Sequence, residues 1–320
     1  MISKRNMVGV KRFNNSFQRI AKSCAFVSPL NSNVRLTCGL EMVKKEEMKI
    51  KVSIFDKRLF SDYLKVLSVI SLLTSFGLIA FQMPDNVSIR VVAGIIIFAL
   101  LAIVFIAMWV HANLEKSASL NFNNSIVEIK IGDIFNESGL KAIPFNEFFD
   151  TQVDERIIAS TTLNGIFLKK MQGRIEEIES AIENVNKTPI DSVGDRLNGK
   201  KKRYELGSVC QFEDYLMVAF SKFDKDNRAY LKMRDYIESL INFWNEVDII
   251  YAGRSVSIPL FGSGITRFHD YSSISEQELL ELIIWSFKIS RVKFTYPSKV
   301  SVVIHESIVD KINFYKLKGC

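Results

Sequence analysis

Twenty consecutive residues without a charge, Val91–Val110 (V-V-A-G-I-I-I-F-A-L-L-A-I-V-F-I-A-M-W-V), restrict what this chain can fold into more than any other stretch. At about 1.5 Å rise per residue, a helix of that length measures about 30 Å, the thickness of the hydrocarbon core of a bilayer. It is apolar on every side, which excludes an amphipathic surface helix. A second apolar segment, Leu64–Met83, precedes it and is interrupted by Ser68, Ser71, Thr74 and Ser75, with Lys65 at its edge. Small and hydroxyl residues in such a segment mark helix–helix contacts inside a membrane. Only P-D-N-V-S-I-R separates the two segments, so a tight transmembrane hairpin is expected. The alternative is a core hairpin of a soluble protein, which requires the rest of the chain to bury two wholly apolar helices.

Charge orients this hairpin. Of the 42 Lys and Arg and 35 Asp and Glu in the 320 residues, residues 1–60 hold 13 basic and 4 acidic, and the remainder holds 29 and 31. The basicity therefore belongs to the N-terminal arm. Nucleic-acid binding by the rest of the chain loses its compositional support. Lys44, Lys45, Lys49, Lys51, Lys57 and Arg58 precede the first span, whereas the connecting loop has only Arg90. The positive-inside rule then places the N-terminus and everything after Val110 in the cytoplasm, with membrane lipid as a partner. Tyr63 and Trp109 stand where interfacial anchors belong. The expected organisation is a basic arm over 1–60, a hairpin over 61–112 with spans near 64–83 and 91–110, a polar linker over 113–124, and an α/β domain over 125–320. The arm has no apolar core of a secretory signal; Met42 and Met48 are alternative starts.

Cys24, Cys38, Cys210 and Cys320 are scattered without C-x-x-C spacing, and His111, His269 and His305 lie far apart. No metal site, disulfide framework or cofactor is expected from them. Neither G-x-S-x-G nor a Cys with a neighbouring His is present, so no nucleophile constellation stands out. Gly194–Lys201 copies Walker A glycine and lysine spacing, but lacks the Ser or Thr that holds Mg²⁺ and the strand and helix that should flank it. It reads as a solvated basic loop, with Lys200–Arg203 as a charged rim.

From Ser125 onward strands and helices alternate. Strands are expected at 126–131, 140–145, 207–211, 214–222, 247–251, 255–260, 292–296 and 300–304. Helices are expected near 152–160, 164–184, 228–244, 275–290 and 305–315. Interspersed elements of this kind give an α/β layer structure. Within it, the apolar run Val256, Ile258, Leu260 ends in Gly262-Ser263-Gly264. Glycines there let backbone N–H groups approach an anion, and such turns lie at the carboxyl ends of strands, where ligands bind. The competing reading is a strand-to-helix turn that needs glycine for positive φ.

A strand ending in Gly132-Asp133-Ile134, a second ending at Asn146, and the late loop Pro259-Leu260-Phe261-Gly262-Ser263-Gly264-Ile265 follow one another in an order that resembles the macro domain, the ADP-ribose-binding α/β module. F-N-E-F-F-D-T (145–151), T-L-N-G (162–165), Y-L-M-V-A-F-S-K-F-D (215–224) and F-G-S-G-I-T-R-F (261–268) are similar, more narrowly, to the macro domain of Thoeris anti-phage defence effectors. The resemblance runs from about Asn124 to Lys318. It implies a mixed central sheet with helices on both faces, behind the two-helix hairpin.

The resemblance also implies roles. Asp133 would accept a hydrogen bond from the adenine amine, and Ile134 would pack near the base. Asn146 and Thr162-Leu163-Asn164-Gly165 would wall the distal ribose and diphosphate. Gly262, Ser263, Gly264 and Ile265 would offer backbone N–H groups to the diphosphate, with Thr266 beside them. Arg267 would meet a phosphate or carboxylate, or else pair with Asp270. Phe149, with Phe148 and Phe167, would shape a pocket for a substituent on the ribose, core packing being the alternative. A turn-capping carboxylate is the competing role for Asp133, and a local turn bond for Asn146. The asparagine-rich stretch and glycine run of macro domains that hydrolyse ADP-ribose esters are replaced here by A-I-P-F-N-E-F-F-D and T-L-N-G, which argues against catalysis.

The function so implied is that of a membrane-anchored receptor–effector. A partner with a Toll/interleukin-1-receptor (TIR) domain consumes NAD and releases an ADP-ribose derivative, histidine–ADP-ribose being the form associated with this membrane-bound type. Binding drives homo-oligomerisation and damage to the inner membrane. The rivals are a membrane-tethered ADP-ribosyl hydrolase and a passive nucleotide-binding scaffold.

Overall fold

The computed structural model describes residues 50–80, 86–122, 124–184, 189–192, 196, 198–224, 226–264, 266–271, 273–290 and 292–318. The arm up to residue 49, loop residues 81–85, Ile265 and, within the Gly194–Lys201 stretch, Gly194, Asp195 and Leu197 lie outside these. Two long helices come first, α1 (Lys57–Ala80) and α2 (Val87–Leu114). Asn86 caps α2, its side chain accepting from the Ser88 amide at 3.0 Å. Both helices are long and apolar enough to cross a membrane. Away from the ends nearest the domain, their apolar side chains stand outside any core: Leu73, Phe76 and Phe98 are each well over half exposed. The α/β domain does not bury the two spans, as the soluble-core alternative requires. Thr74 and Ser75 in α1 bond back into their own helix, to Ile70 O at 3.0 Å and Ser71 O at 2.8 Å, so both find a partner without water. Tyr63 and Phe105 meet edge to face, 5.1 Å between centroids, where the helices converge.

The rest of the chain runs β1 (Ser117–Phe122), β2 (Ser125–Ile131), β3 (Leu140–Asn146), α3 (Leu163–Lys170), α4 (Ile175–Glu183), β4 (Asp191–Ser192), β5 (Lys202–Arg203), β6 (Val209–Phe212), β7 (Tyr215–Phe223), β8 (Ala229–Leu231), α5 (Met233–Ile250), β9 (Val256–Pro259), β10 (Arg267–Phe268), α6 (Glu276–Ser290), β11 (Val300–Ile304) and α7 (Phe314–Leu317). The main sheet has the order β1-β2-β11-β9-β3-β7-β8-β10, with β6 also paired to β7. The run β2, β11, β9, β3, β7 is parallel throughout, and antiparallel partners lie outside it. Alternation along each central strand feeds two cores. Leu216, Val218 and Phe220 join the layer under α5 and α6, while Met217 and Ala219 join the layer under α3 and α4. Helices thus cover both faces of a mixed sheet.

Several expected elements are corrected. The linker over 113–124 contains strand β1, whose S-A-S-L-N-F alternation turns Ala118 and Leu120 inward. Residues 247–251 end helix α5 instead of forming a strand: Tyr236, Leu240, Phe243, Trp244 and Val247 are buried at helical spacing, and Ile249 is left exposed off that stripe. Residues 292–296 bury Val292 and Phe294 but form no strand, and Tyr296 already belongs to a turn. No helix forms over 152–160. Asp154 Oδ1 accepts from the amides of Arg156 and Ile157, at 2.9 and 2.8 Å, and Glu155 takes φ +60°, so an Asp-centred turn replaces it. The helix expected over 164–184 divides at the 3-10 turn Gln172–Arg174, and that expected over 305–315 is a 3-10 helix, Glu306–Lys311, followed by α7. Helix α5 begins at Met233, after strand β8, rather than at 228.

Candidate functional site

In a parallel sheet the loops leaving the carboxyl ends of neighbouring strands converge, and the space between them is where a ligand can meet many backbone groups at once. The loops after β3, β9 and β11 converge in this way around a cavity of about 390 Å³. One wall is the end of β3, Pro144–Asn146, at the register shift between Phe145 and Asn146. The second is Ile157–Ala159 with Thr161–Asn164. The third is Pro259–Gly264 with Thr266, and His305, Ser307 and Ile308 close the end. Phe145, Phe220 and Phe223 supply apolar floor.

Local chemistry builds each wall. Thr162 caps α3, its Oγ1 accepting from the Gly165 amide at 3.3 Å and lying 2.6 Å from Asn164 Oδ1. Gly165 is required by close approach, since a Cβ there would lie 2.2 Å from Ala159 O. Gly262 takes φ +84°, which sets the sharp exit from β9. Ser263 spends its hydroxyl on Leu260 O at 2.7 Å. At Gly264 a Cβ would meet nothing within 4 Å, so the absence of a side chain there keeps the cavity open.

Asn146 is held from both sides. Its Oδ1 accepts from the amides of Phe148 and Asp150, at 3.0 and 3.3 Å, and its Nδ2 donates to Asp150 Oδ2 at 2.8 Å. Asp150, buried, receives two Arg196 N–H groups, at 2.6 and 3.1 Å, and the Lys200 amide at 2.7 Å. Arg196 also lies flat against Phe148, 3.9 Å from the ring centroid. The polar loop that reads as a failed Walker motif is therefore an anchor for the Asn146 turn. Next to it, burial pushes the Glu147 carboxyl up, against the Phe223 amide and the nearby Arg203 and Lys222 cations that pull it down.

Of the residues expected to contact a ligand, Asn146, Asn164, Gly262, Ser263, Gly264 and Thr266 line the cavity together. Ile265 lies outside the described residues. Asp133 caps a 3-10 turn, accepting from the Phe135 amide at 3.0 Å, and is exposed outside the lining. Ile134 is buried beneath that turn. Gly165 acts behind the wall. Arg267 lines an adjoining recess on the other side of the glycine loop, with His269 and Glu276, and Asp270 accepts from the Met233 amide instead. The ribose-substituent pocket expected from Phe148, Phe149 and Phe167 does not form. Phe149, at φ +49°, packs on Tyr204 at 5.3 Å, and Phe167 packs on Tyr215 at 4.8 Å, both inside the core. Sequence reasoning missed Phe145, Phe220, Phe223, Ile157, Ile158 and the His305–Ile308 end. The one available signal for the last was its position directly after the final central strand.

A mixed sheet covered on both faces, with a glycine-turn cavity at the carboxyl ends of its strands, defines this domain as a macro domain. Within that class the comparisons are specific. The family model for the Thoeris protein ThsA, Macro domain, matches residues 127–305. Thoeris protein ThsA of Bacillus amyloliquefaciens (strain Y2) is 43% identical over 235 residues, covering 72% of this chain and 79% of the relative. The chain belongs to the Thoeris ThsA macro-domain family. Solved structures similar to it include the Oceanobacillus iheyensis macrodomain with ADP, at 14% identity and TM-score 0.38 over 63% of this chain and 94% of that one. The same macrodomain with MES bound gives TM-score 0.35 at 15% identity, over 63% and 94%.

Proposed function

We propose that this protein is a membrane-anchored anti-phage receptor whose macro domain binds an ADP-ribose-derived signal in the cavity between β3, β9 and β11. The observation that carries the reading is the chemistry of the lining. Among the described lining residues none is Asp, Glu, Lys or Arg, while backbone amides, hydroxyls and carboxamides of Asn146, Thr161, Thr162, Asn164, Ser221, Ser263, Thr266 and Ser307 face an apolar floor. Such a lining suits a ligand that carries its own charge and is fixed by neutral donors. Gly262–Gly264 is the diphosphate-binding turn, as in the expectation above, and Asn164 with Thr162 borders the distal ribose. The same lining disfavours a hydrolase. Its titratable described residue is His305, whose Nδ1 is engaged with Ser307 at 2.8 Å. Cys210 is buried away from the cavity with its thiol pushed up to about 12 by burial, so it is a poor nucleophile. The protein works without a cofactor, as a binder and not an enzyme.

The signal, in this reading histidine–ADP-ribose, is made from NAD by a TIR-domain partner. The macro domain and N-terminus face the bacterial cytoplasm, and the hairpin spans the inner membrane. Binding drives homo-oligomerisation and membrane disruption, with the Ser and Thr face of α1 at helix contacts between copies. In a receptor the ligand acts only through unequal affinity for the two states.

Titration calorimetry of the full chain in detergent with ADP-ribose and histidine–ADP-ribose tests the site. Gly264→Glu places a carboxylate in the open cavity and is expected to abolish binding while leaving the fold intact, since its Cβ clashes with nothing. Undiminished affinity in this variant places the ligand elsewhere. Turnover of an ADP-ribosylated substrate establishes the hydrolase instead.

A further inference from the structure

The cavity and the membrane hairpin share one short piece of chain. His305, Ser307 and Ile308 close the end of the cavity. One residue later, Val309 O accepts from Lys51 Nζ at 2.9 Å. Asn313 Nδ2 donates to Lys51 O at 3.1 Å, and Tyr315 OH donates to Asp62 Oδ2 at 2.7 Å. Arg58 donates to Lys316 O at 3.0 Å and covers the Tyr315 ring. These contacts hold the start of α1 and the segment leading into it.

The end of α2 is tied to the same knot. Asn113, buried, accepts from the Lys51 and Val52 amides at 2.7 and 2.9 Å, and Trp109 Nε1 donates to Val52 O at 2.8 Å. Val52, Leu59, Ala112 and Tyr315 form a small apolar cluster of their own, with Phe105, Met108 and Trp109 packed against it. Lys318 pairs with Glu115 just beyond α2. By contrast, the covalent route from α2 into the domain leads to β1, the edge strand farthest from β7 in the sheet order and outside the cavity-forming strands.

We propose that the segment His305–Tyr315 transmits occupancy of the cavity to the hairpin, as a single strut that is a cavity wall at one end and a clamp on both membrane helices at the other. The proposal rests on the reading of the cavity as the signal site. Movement of the wall at Ile308 displaces Val309 O from Lys51, and Lys51 in turn carries the backbone bonds to Asn113 of α2. A strut of this kind needs no second copy and no displacement of the sheet, only two arrangements of one 3-10 helix.

The test is hydrogen exchange on the full chain in phosphatidylethanolamine/phosphatidylglycerol nanodiscs, with and without ADP-ribose as the probe. ADP-ribose is expected to slow exchange at Thr162–Ile166 and His305–Ile308, and to change it several-fold at Lys51–Leu59 and Trp109–Glu115. In Lys51→Met/Tyr315→Phe, which removes two clamp bonds without touching the cavity, the first effect persists and the second disappears. Protection at the cavity with an unchanged hairpin overturns the strut, as does a hairpin response that survives in the double variant. No protection at the cavity overturns the binding reading instead. The strut is then judged without ligand by Ile308→Trp, which enlarges the wall: a several-fold change at Trp109–Glu115 supports it, and no change there overturns it.

Discussion

Arg196 is the most consequential side chain that ordinary inspection of the sequence passes over. Its guanidinium gives Asp150 two N–H groups at 2.6 and 3.1 Å, gives Lys200 O one at 2.6 Å, and covers Phe148. The two side chains of the pair are only 6% and 1% exposed. Arg196→Met keeps much of the packing volume but leaves a buried carboxylate with only Asn146 Nδ2 and the Lys200 amide. Removing one partner of a buried pair costs about 3–5 kcal/mol. For a domain of this size that lowers Tm by about 6–20 °C. Thermal unfolding of the full chain in detergent, followed by tryptophan fluorescence, reads the shift. Adding Asp150→Asn removes the stranded charge, and the double variant is expected to recover most of the loss, since neutral replacement of a buried pair is often tolerated. The Asn146 turn should loosen in the single variant and weaken ligand binding, although Arg196 is not a lining residue. A shift below about 2 °C in Arg196→Met, or a double variant no better than the single, refutes the role of this pair as the anchor of the turn.

Gly165→Ala forces a Cβ to within 2.2 Å of Ala159 O, so the Thr162 turn must move; a loss of about 1–3 kcal/mol is expected in the same thermal assay, together with weaker ADP-ribose binding. Because burial raises the Glu147 carboxyl, the folded protein holds that proton more tightly than the unfolded chain. The stability from Glu147 is therefore present below its ordinary value of 4.5 and lost as pH rises through the folded value. The Tm of Glu147→Gln relative to the parent should accordingly rise between about pH 4 and about pH 7; a difference that is flat or falls contradicts the assignment. Iodoacetamide at about pH 8 should leave Cys210 unmodified in the folded protein and label it after denaturation, by peptide mass mapping, because burial holds its thiol near 12.

Periodicity made the long and the central elements readable. The uncharged run Val91–Val110 has one structural outcome at its length, and α2 extends it to Val87–Leu114, with Asn86 capping its start and Asn113 Nδ2 bonding back to Trp109 O at 2.8 Å near its end. The strands β2, β3, β7, β9 and β11 are short, largely apolar runs bounded by turn residues, and the sheet places them side by side. Legibility ended where two periods coincide. Val247, Ile249 and Ile250 are good strand residues, yet Phe243, Trp244 and Val247 already form a buried helical stripe, and tertiary packing decides the outcome. At Asp154 the opposite occurred: a side-chain oxygen offers the backbone two bonds at once, and a nine-residue helix has too little to gain to compete.

For the site, glycines and asparagines were readable because backbone geometry restricts which residues can stand there. Gly264 marks open space and Gly165 a close approach, and both follow from what a Cβ would meet. The phenylalanines were not readable. Phe145 lines the cavity, and Phe149, four residues on, packs against it inside the same core at positive φ. Strand alternation carries no information past Asn146, where β3 ends and a turn centred on the Asn146 carboxamide sets the side-chain directions. The membrane joint was further still from view. Lys51 and Val309 are 258 residues apart, as are Arg58 and Lys316, so no local pattern connects them. What joins them is the parallel order of the sheet. β11 is inserted between β2 and β9, so the last segment of the chain emerges beside both the glycine loop and the hairpin. A parallel strand added at an edge would have left that segment remote from one of the two. The central position of β11 therefore does two things at once: it completes the cavity, and it brings the only segment that can touch both the ligand wall and the two membrane helices among the described residues.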